Sequence, residues 1–115
     1  MNHKLNNESV ENLFRAILTL ESVEECYRFF EDLCTVPELL AMSQRMHVAR
    51  LINEDRVYSQ IVEETGASTA TISRVKRTVE GDTRGYEIAF SRMGLPLKAQ
   101  DTGRNSGRGR KKREE

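Results

Sequence analysis

The residues best suited to chemistry in this chain lie close together, in Ser68-Thr69-Ala70-Thr71-Ile72-Ser73-Arg74-Val75-Lys76-Arg77-Thr78-Val79. At 3.6 residues per turn, Thr69, Ala70, Ser73, Arg74 and Arg77 share one continuous helix face. Small groups stand at its N-terminal end and guanidinium groups further along. That combination suits recognition of double-stranded DNA rather than bond-making. The methyl groups of Thr69 and Ala70 match a thymine methyl, the Ser73 hydroxyl suits either hydrogen-bonding partner, and Arg74 or Arg77 can fork onto guanine or a phosphate. Lys76 stands beside this face for backbone contact. No acid occurs in residues 68–79, although the chain carries eighteen. A surface that meets phosphates has to be free of carboxylates, so the gap is informative.

Such a face needs a scaffold to hold it out, and the neighbouring residues supply one: a helix-turn-helix over about Val57 to Val79. Two short helices clamped at a steep angle need particular residue types at fixed offsets. Val57 to Thr65 makes the first helix, with Ile61 and Val62 turned inward at the crossing. Gly66 supplies the positive φ of the turn, and Ala67 is small enough to tuck beneath it. Ser68 caps the free amides of the second helix, which turns Ile72 and Val75 inward. Glu63 and Glu64 then mark a face of the first helix that points away from phosphate.

Upstream, three more helices are expected. Val10, Leu13, Phe14, Ile17 and Leu18 form an apolar stripe on a helix from about Glu8 to Leu20. Ser22 and Glu25 make a capping box for a second helix, with Val23, Tyr27, Phe30 and Cys34 on its inner face. A further box, Thr35 to Glu38 with Pro37 in the first turn, opens a third helix over about Pro37 to Asn53. Its apolar residues, from Leu39 and Leu40 through Met46, Val48, Leu51 and Ile52, exceed one stripe. A helix apolar on several sides is buried on several sides, and in so short a chain a second subunit can supply the extra cover. Glu54-Asp55-Arg56 is a polar connection. After Gly81 and Asp82, a last helix aligns Tyr86, Ala89, Phe90 and Met93 and ends at Gly94. No strand alternation and no repeat is present. The reading is all-α, with one helical dimerisation and DNA-binding domain over residues 1–97.

Net charge is zero, but the average conceals a polarity. Residues 1–38 carry a net −5, and residues 98–115 carry seven Lys/Arg against three acids, a net +4. The latter segment has no apolar residue except Ala99, so it reads as a disordered basic tail able to add phosphate attraction. The carboxylates Glu21, Glu24, Glu25, Glu31 and Asp32 read as a solvated face. No apolar run reaches membrane-spanning length and no signal-type N-terminus is present, which together point to the cytoplasm and away from membranes. Cys26 and Cys34 sit about 12 Å apart on one helix, too far for a disulfide, and read as buried reduced thiols. His3 and His47 show no metal-ligand spacing with them, so no metal is expected. No nucleophile–base pair is implied by any spacing, so an enzyme is not expected. The competing reading is a protein–protein adaptor that keeps the scaffold without reading DNA.

The run Glu64-Thr65-Gly66-Ala67-Ser68-Thr69-Ala70-Thr71-Ile72-Ser73-Arg74, preceded by Arg45 and Leu51-Ile52, resembles the Trp repressor superfamily, and within it the YerC/YecD-type branch. The resemblance spans about residues 10–93. It implies a six-helix fold and a homodimer with intertwined N-terminal helices. It also implies two recognition helices about 34 Å apart on a palindromic operator, acting as a repressor of transcription. In that family a tryptophan corepressor lies between the central and recognition helices, flanked by two arginines matched here by Arg45 and Arg74. The family's glycine after the second arginine is Val75 here, its nearby ligand-binding serine is Thr78, and the connection at Glu54–Val57 is one residue shorter. Arg45, Arg74, Val75 and Thr78 thus mark a candidate ligand pocket suited to an unidentified small effector rather than tryptophan, and no cofactor is required.

Overall fold

The computed structural model describes residues 2–97; the expected basic tail lies outside the described residues. A 3-10 turn, His3–Leu5, precedes six α-helices: α1 (Glu8–Ile17), α2 (Val23–Leu33), α3 (Val36–Asn53), α4 (Tyr58–Thr65), α5 (Thr69–Val79) and α6 (Gly85–Arg92). No strand occurs among the described residues. The chain divides within α3 into two compact units, Met1–Gln44 and Arg45 onward.

In the first unit, helix starts follow the sequence and helix burial does not. The Asn7 side chain caps α1 by accepting the Val10 N–H at 2.9 Å. The helix stops at Ile17, three residues short of the expected Leu20, because the Thr19 hydroxyl donates to the Ala16 carbonyl at 2.6 Å and closes the end. Ser22 caps α2, accepting the Glu25 N–H at 3.1 Å, but the Glu25 carboxylate accepts from Glu21 rather than from Ser22 itself. The box at α3 is reciprocal: Glu38 N–H donates to the Thr35 hydroxyl at 3.2 Å, and Thr35 N–H donates to the Glu38 carboxylate at 2.8 Å. The Thr35 backbone N–H, and after it the Thr35 hydroxyl, hold the exposed Glu38 carboxyl below its usual pKa.

No side chain of residues 2–44 is fully buried. Leu18 is 82% exposed and Val23 73%, and Phe14, Tyr27 and Leu40 are also exposed. Phe14 of α1, Leu18 at its C-cap, and Val23 and Tyr27 of α2 are therefore left uncovered by their own unit, contrary to the reading of Val23 and Tyr27 as part of an inner face, while Phe30 is half-buried. Cys26 shares this exposure and Cys34 is half-buried, which corrects the expectation of two buried thiols.

The second unit has a closed core. Val48, Ala49, Leu51 and Ile52 from the C-terminal half of α3 pack with Ile61 of α4, Ala67, Ile72 and Val75 at and within α5, and Phe90 of α6. Tyr86 stacks on Phe90 with ring centroids 6.1 Å apart. The Asn53 amide donates to the Pro96 carbonyl at 2.8 Å, tying the end of α3 to the segment after α6. Met93, expected on the packed stripe of α6, is exposed as the helix's C-cap. Arg84 is the N-cap of α6 and takes a left-handed φ of 63° just ahead of Gly85.

Candidate nucleic-acid interface

Helices α4 and α5 join through two residues, Gly66 and Ala67, ahead of the cap at Ser68. Gly66 adopts φ 74°, the left-handed conformation that ends a helix, and its N–H donates to the Val62 carbonyl at 2.8 Å. Ala67 is buried beneath the turn. The Thr65 side chain adds a lock: its hydroxyl donates to the Ile61 carbonyl at 2.7 Å and accepts the Ala67 N–H at 3.1 Å. The role of Thr65 has only a weak signal in the sequence, a Thr just before the glycine being well placed to bond its own turn. At the start of α4 the Gln60 side chain accepts the Val57 N–H at 3.3 Å.

Ser68 caps α5, accepting the Thr71 N–H at 3.1 Å while its own hydroxyl donates to the Thr71 hydroxyl at 3.1 Å. Two hydroxyls are thereby engaged locally. A third belongs to Thr78, which donates to the Arg74 carbonyl one turn back at 3.2 Å. Thr69 and Ser73 keep theirs clear of any hydrogen bond among the described residues, Thr69 exposed and Ser73 half-buried. Ile72 and Val75 are buried as expected. Val62 is not: it stays on the outer side of α4, and Ile61 alone fills the crossing. Adjacent helix positions point about 100° apart, so only one of the pair can face α5 squarely.

The expected reading face is presented outward. Thr69, Ala70, Arg74 and Arg77 are exposed, and the two arginines have no ion-pair partner among the described residues. Lys76 is held differently. Its ammonium lies 3.9 Å from the Glu80 carboxylate and 5.9 Å from the centre of the Tyr58 ring. The ring belongs to α4, so Lys76 braces the two helices against each other as well as bordering the reading face. One acid of α4, Glu64, is turned to other work. Glu64 accepts from Arg56 at 3.0 Å and lies 3.6 Å from His47, and Arg56 also meets Glu54 at 3.3 Å.

Of the candidate ligand set, Val75 lies in the core while Arg45, Arg74 and Thr78 are exposed. A pocket beside the end of α5 is bordered by Asn53, Thr78, Val79, Arg84, Tyr86 and Phe90 among others, but not by Arg45, Arg74 or Val75. No group of three His, Cys, Asp or Glu side chains is placed to hold a metal ion among the described residues. Nor is any helix among them long and apolar enough to cross a membrane.

Comparison with known proteins places this geometry. The family model for Trp repressor protein matches residues 8–94. The uncharacterized protein YerC of Bacillus subtilis (strain 168) is 50% identical over 90 residues, covering 78% of this chain and 86% of its own length. A TrpR-like protein from Eubacterium eligens has a crystal structure that superposes with a TM-score of 0.79 at 51% identity, over 83% of this chain and 99% of that one. The crystal structure of a Trp-repressor candidate from Staphylococcus aureus superposes with a TM-score of 0.78 at 49% identity, over 82% and 94% of the two chains.

Proposed function

Because this chain belongs to the Trp repressor family, with its all-α fold, we propose that it is a sequence-specific transcriptional regulator, a cytoplasmic repressor that binds a palindromic operator as a homodimer. The observation that carries the reading is the α5 face. Thr69, Ala70, Arg74 and Arg77 are exposed, with Ser73 half-buried between them, on the outer side of a locked helix-turn-helix that has no acid from Ser68 to Val79. Lys76 and the backbone amides near the Ser68 cap are suited to the phosphates on either side.

The uncovered apolar faces of α1, α2 and the first half of α3 support the dimer. Each large apolar side chain moved from water into an interface contributes about 1.5–3 kcal/mol, and Phe14, Leu18, Val23, Tyr27 and Leu40 are all available. A twofold dimer in turn demands a twofold site, because each recognition helix meets the same half-site. The basic residues 98–115 add attraction that is indifferent to sequence.

Selection of bound duplexes from a random pool tests the proposal. The expected product is an inverted repeat whose half-site centres lie about one helical turn apart. Failure to enrich any duplex would favour the protein–protein adaptor instead.

A further inference from the structure

We propose that Val75 does the work a corepressor does elsewhere: the chain's own core seats α5 in its reading position, and DNA binding needs no small molecule. The inference rests on the reading of α5 as the recognition helix and adds how that helix is regulated.

Family likeness implies tryptophan between α3 and α5, and the residues present do not fit it. Val75 is 3% exposed and belongs to the same continuous core as Val48, Ala49, Leu51 and Ile52 of α3 and Ile61 of α4. Both of its γ-methyl groups are therefore enclosed on the side of α5 that meets this core. A ring inserted there needs a van der Waals separation of about 3.5–4 Å from the atoms on each of its faces. In a filled core that space comes only by displacing side chains, which is destabilising.

The polar residues around Val75 agree. Arg45 and Arg74 are exposed, and Arg74 shares its face with Thr69, Ala70 and Ser73. Its guanidinium is thus placed for DNA at all times rather than divided between DNA and a ligand's carboxylate. A ligand shifts a conformational equilibrium only by its differential affinity for the two states. A recognition helix seated by Ile72 and Val75 leaves little for such a ligand to shift.

The test unfolds the full-length protein in guanidinium chloride, removes small molecules by gel filtration in denaturant, and refolds it. Affinity is then measured for a duplex selected from a random pool with and without metabolite extract. The expected result is a refolded Kd within about twofold of the never-unfolded protein's, unchanged by millimolar L-tryptophan or by extract. Binding that returns only when tryptophan or extract is added, tightening about tenfold or more, would overturn the inference while leaving α5 as a DNA reader. Enrichment of no duplex in either pool would overturn both. A measurement without DNA addresses Val75 itself: in Val75→Ala, amide exchange along α5 should run about tenfold faster than in the refolded wild type. Equal exchange rates would show that Val75 does not seat the helix.

Discussion

Residues from Arg45 onward enclose every fully buried side chain among the described residues, whereas those up to Gln44 enclose none. The contrast runs through a single helix. Val48, Ala49, Leu51 and Ile52 in the second half of α3 are buried, while Val36, Leu40 and Met42 in its first half are exposed. Both stretches are about equally apolar, so composition does not separate them. What separates them is cover within each half's own unit: α4, α5 and α6 supply it for the second half. The helix-turn-helix unit thus encloses a core of its own, and the N-terminal helices keep apolar area exposed.

The largest expected effect lies in the closed core. Ile72 is fully buried against α3 and α4 residues, so Ile72→Ala should cost about 2–5 kcal/mol in urea unfolding. A loss near zero would mean that the second unit is not the stable one. Next comes the open half. Leu18→Glu combined with Tyr27→Glu should halve the mass seen by sedimentation equilibrium, since each side chain contributes about 1.5–3 kcal/mol when covered. Helicity of the Arg45-onward unit should survive. An unchanged mass would place the dimer contact elsewhere.

A smaller change sharpens the boundary at the turn. Ser68→Ala removes the acceptor of the Thr71 N–H and should cost about 1 kcal/mol of stability, measured by thermal unfolding. The smallest effect is a pH dependence at the start of α3. The bonds from Thr35 hold the Glu38 carboxyl below its usual pKa, so its folded value lies beneath the unfolded one. Whatever stability it contributes is therefore fully present above the unfolded pKa and is lost as pH falls through the folded value. Glu38→Gln should remove that part of the acid dependence, and an unaltered acid limb in the variant would contradict it.

These contrasts also mark what was legible in the sequence. Gly66, Ser68, Thr35 and Glu38 act within a few residues of themselves, so their turn and cap roles followed from residue type and spacing. Ile72 and Val75 were legible for the same reason, as positions three apart on a short helix. The outcomes at Leu18, Val23, Tyr27 and Cys26 were not, because periodicity identifies an apolar face without saying which chain covers it. Long-range and lateral contacts were equally silent: Asn53 to Pro96, Lys76 over Tyr58, and the choice of Ile61 over Val62 at the crossing. Arg84 in a left-handed conformation had no signal either, since that geometry is set by the junction of α5 and α6 and not by arginine itself.

The central claim is that the outward face of α5 reads DNA from a scaffold that stands without it. Its most direct test is the affinity of Arg74→Ala/Arg77→Ala for a selected duplex, alongside its unfolding curve. Both guanidinium groups are exposed and unpaired among the described residues, so their loss should leave stability within about 0.5 kcal/mol of wild type. Affinity should fall by about 1–3 kcal/mol for each arginine that contacts a base. A variant that binds the duplex as tightly as wild type while folding normally would contradict the assignment of α5 as the reading helix.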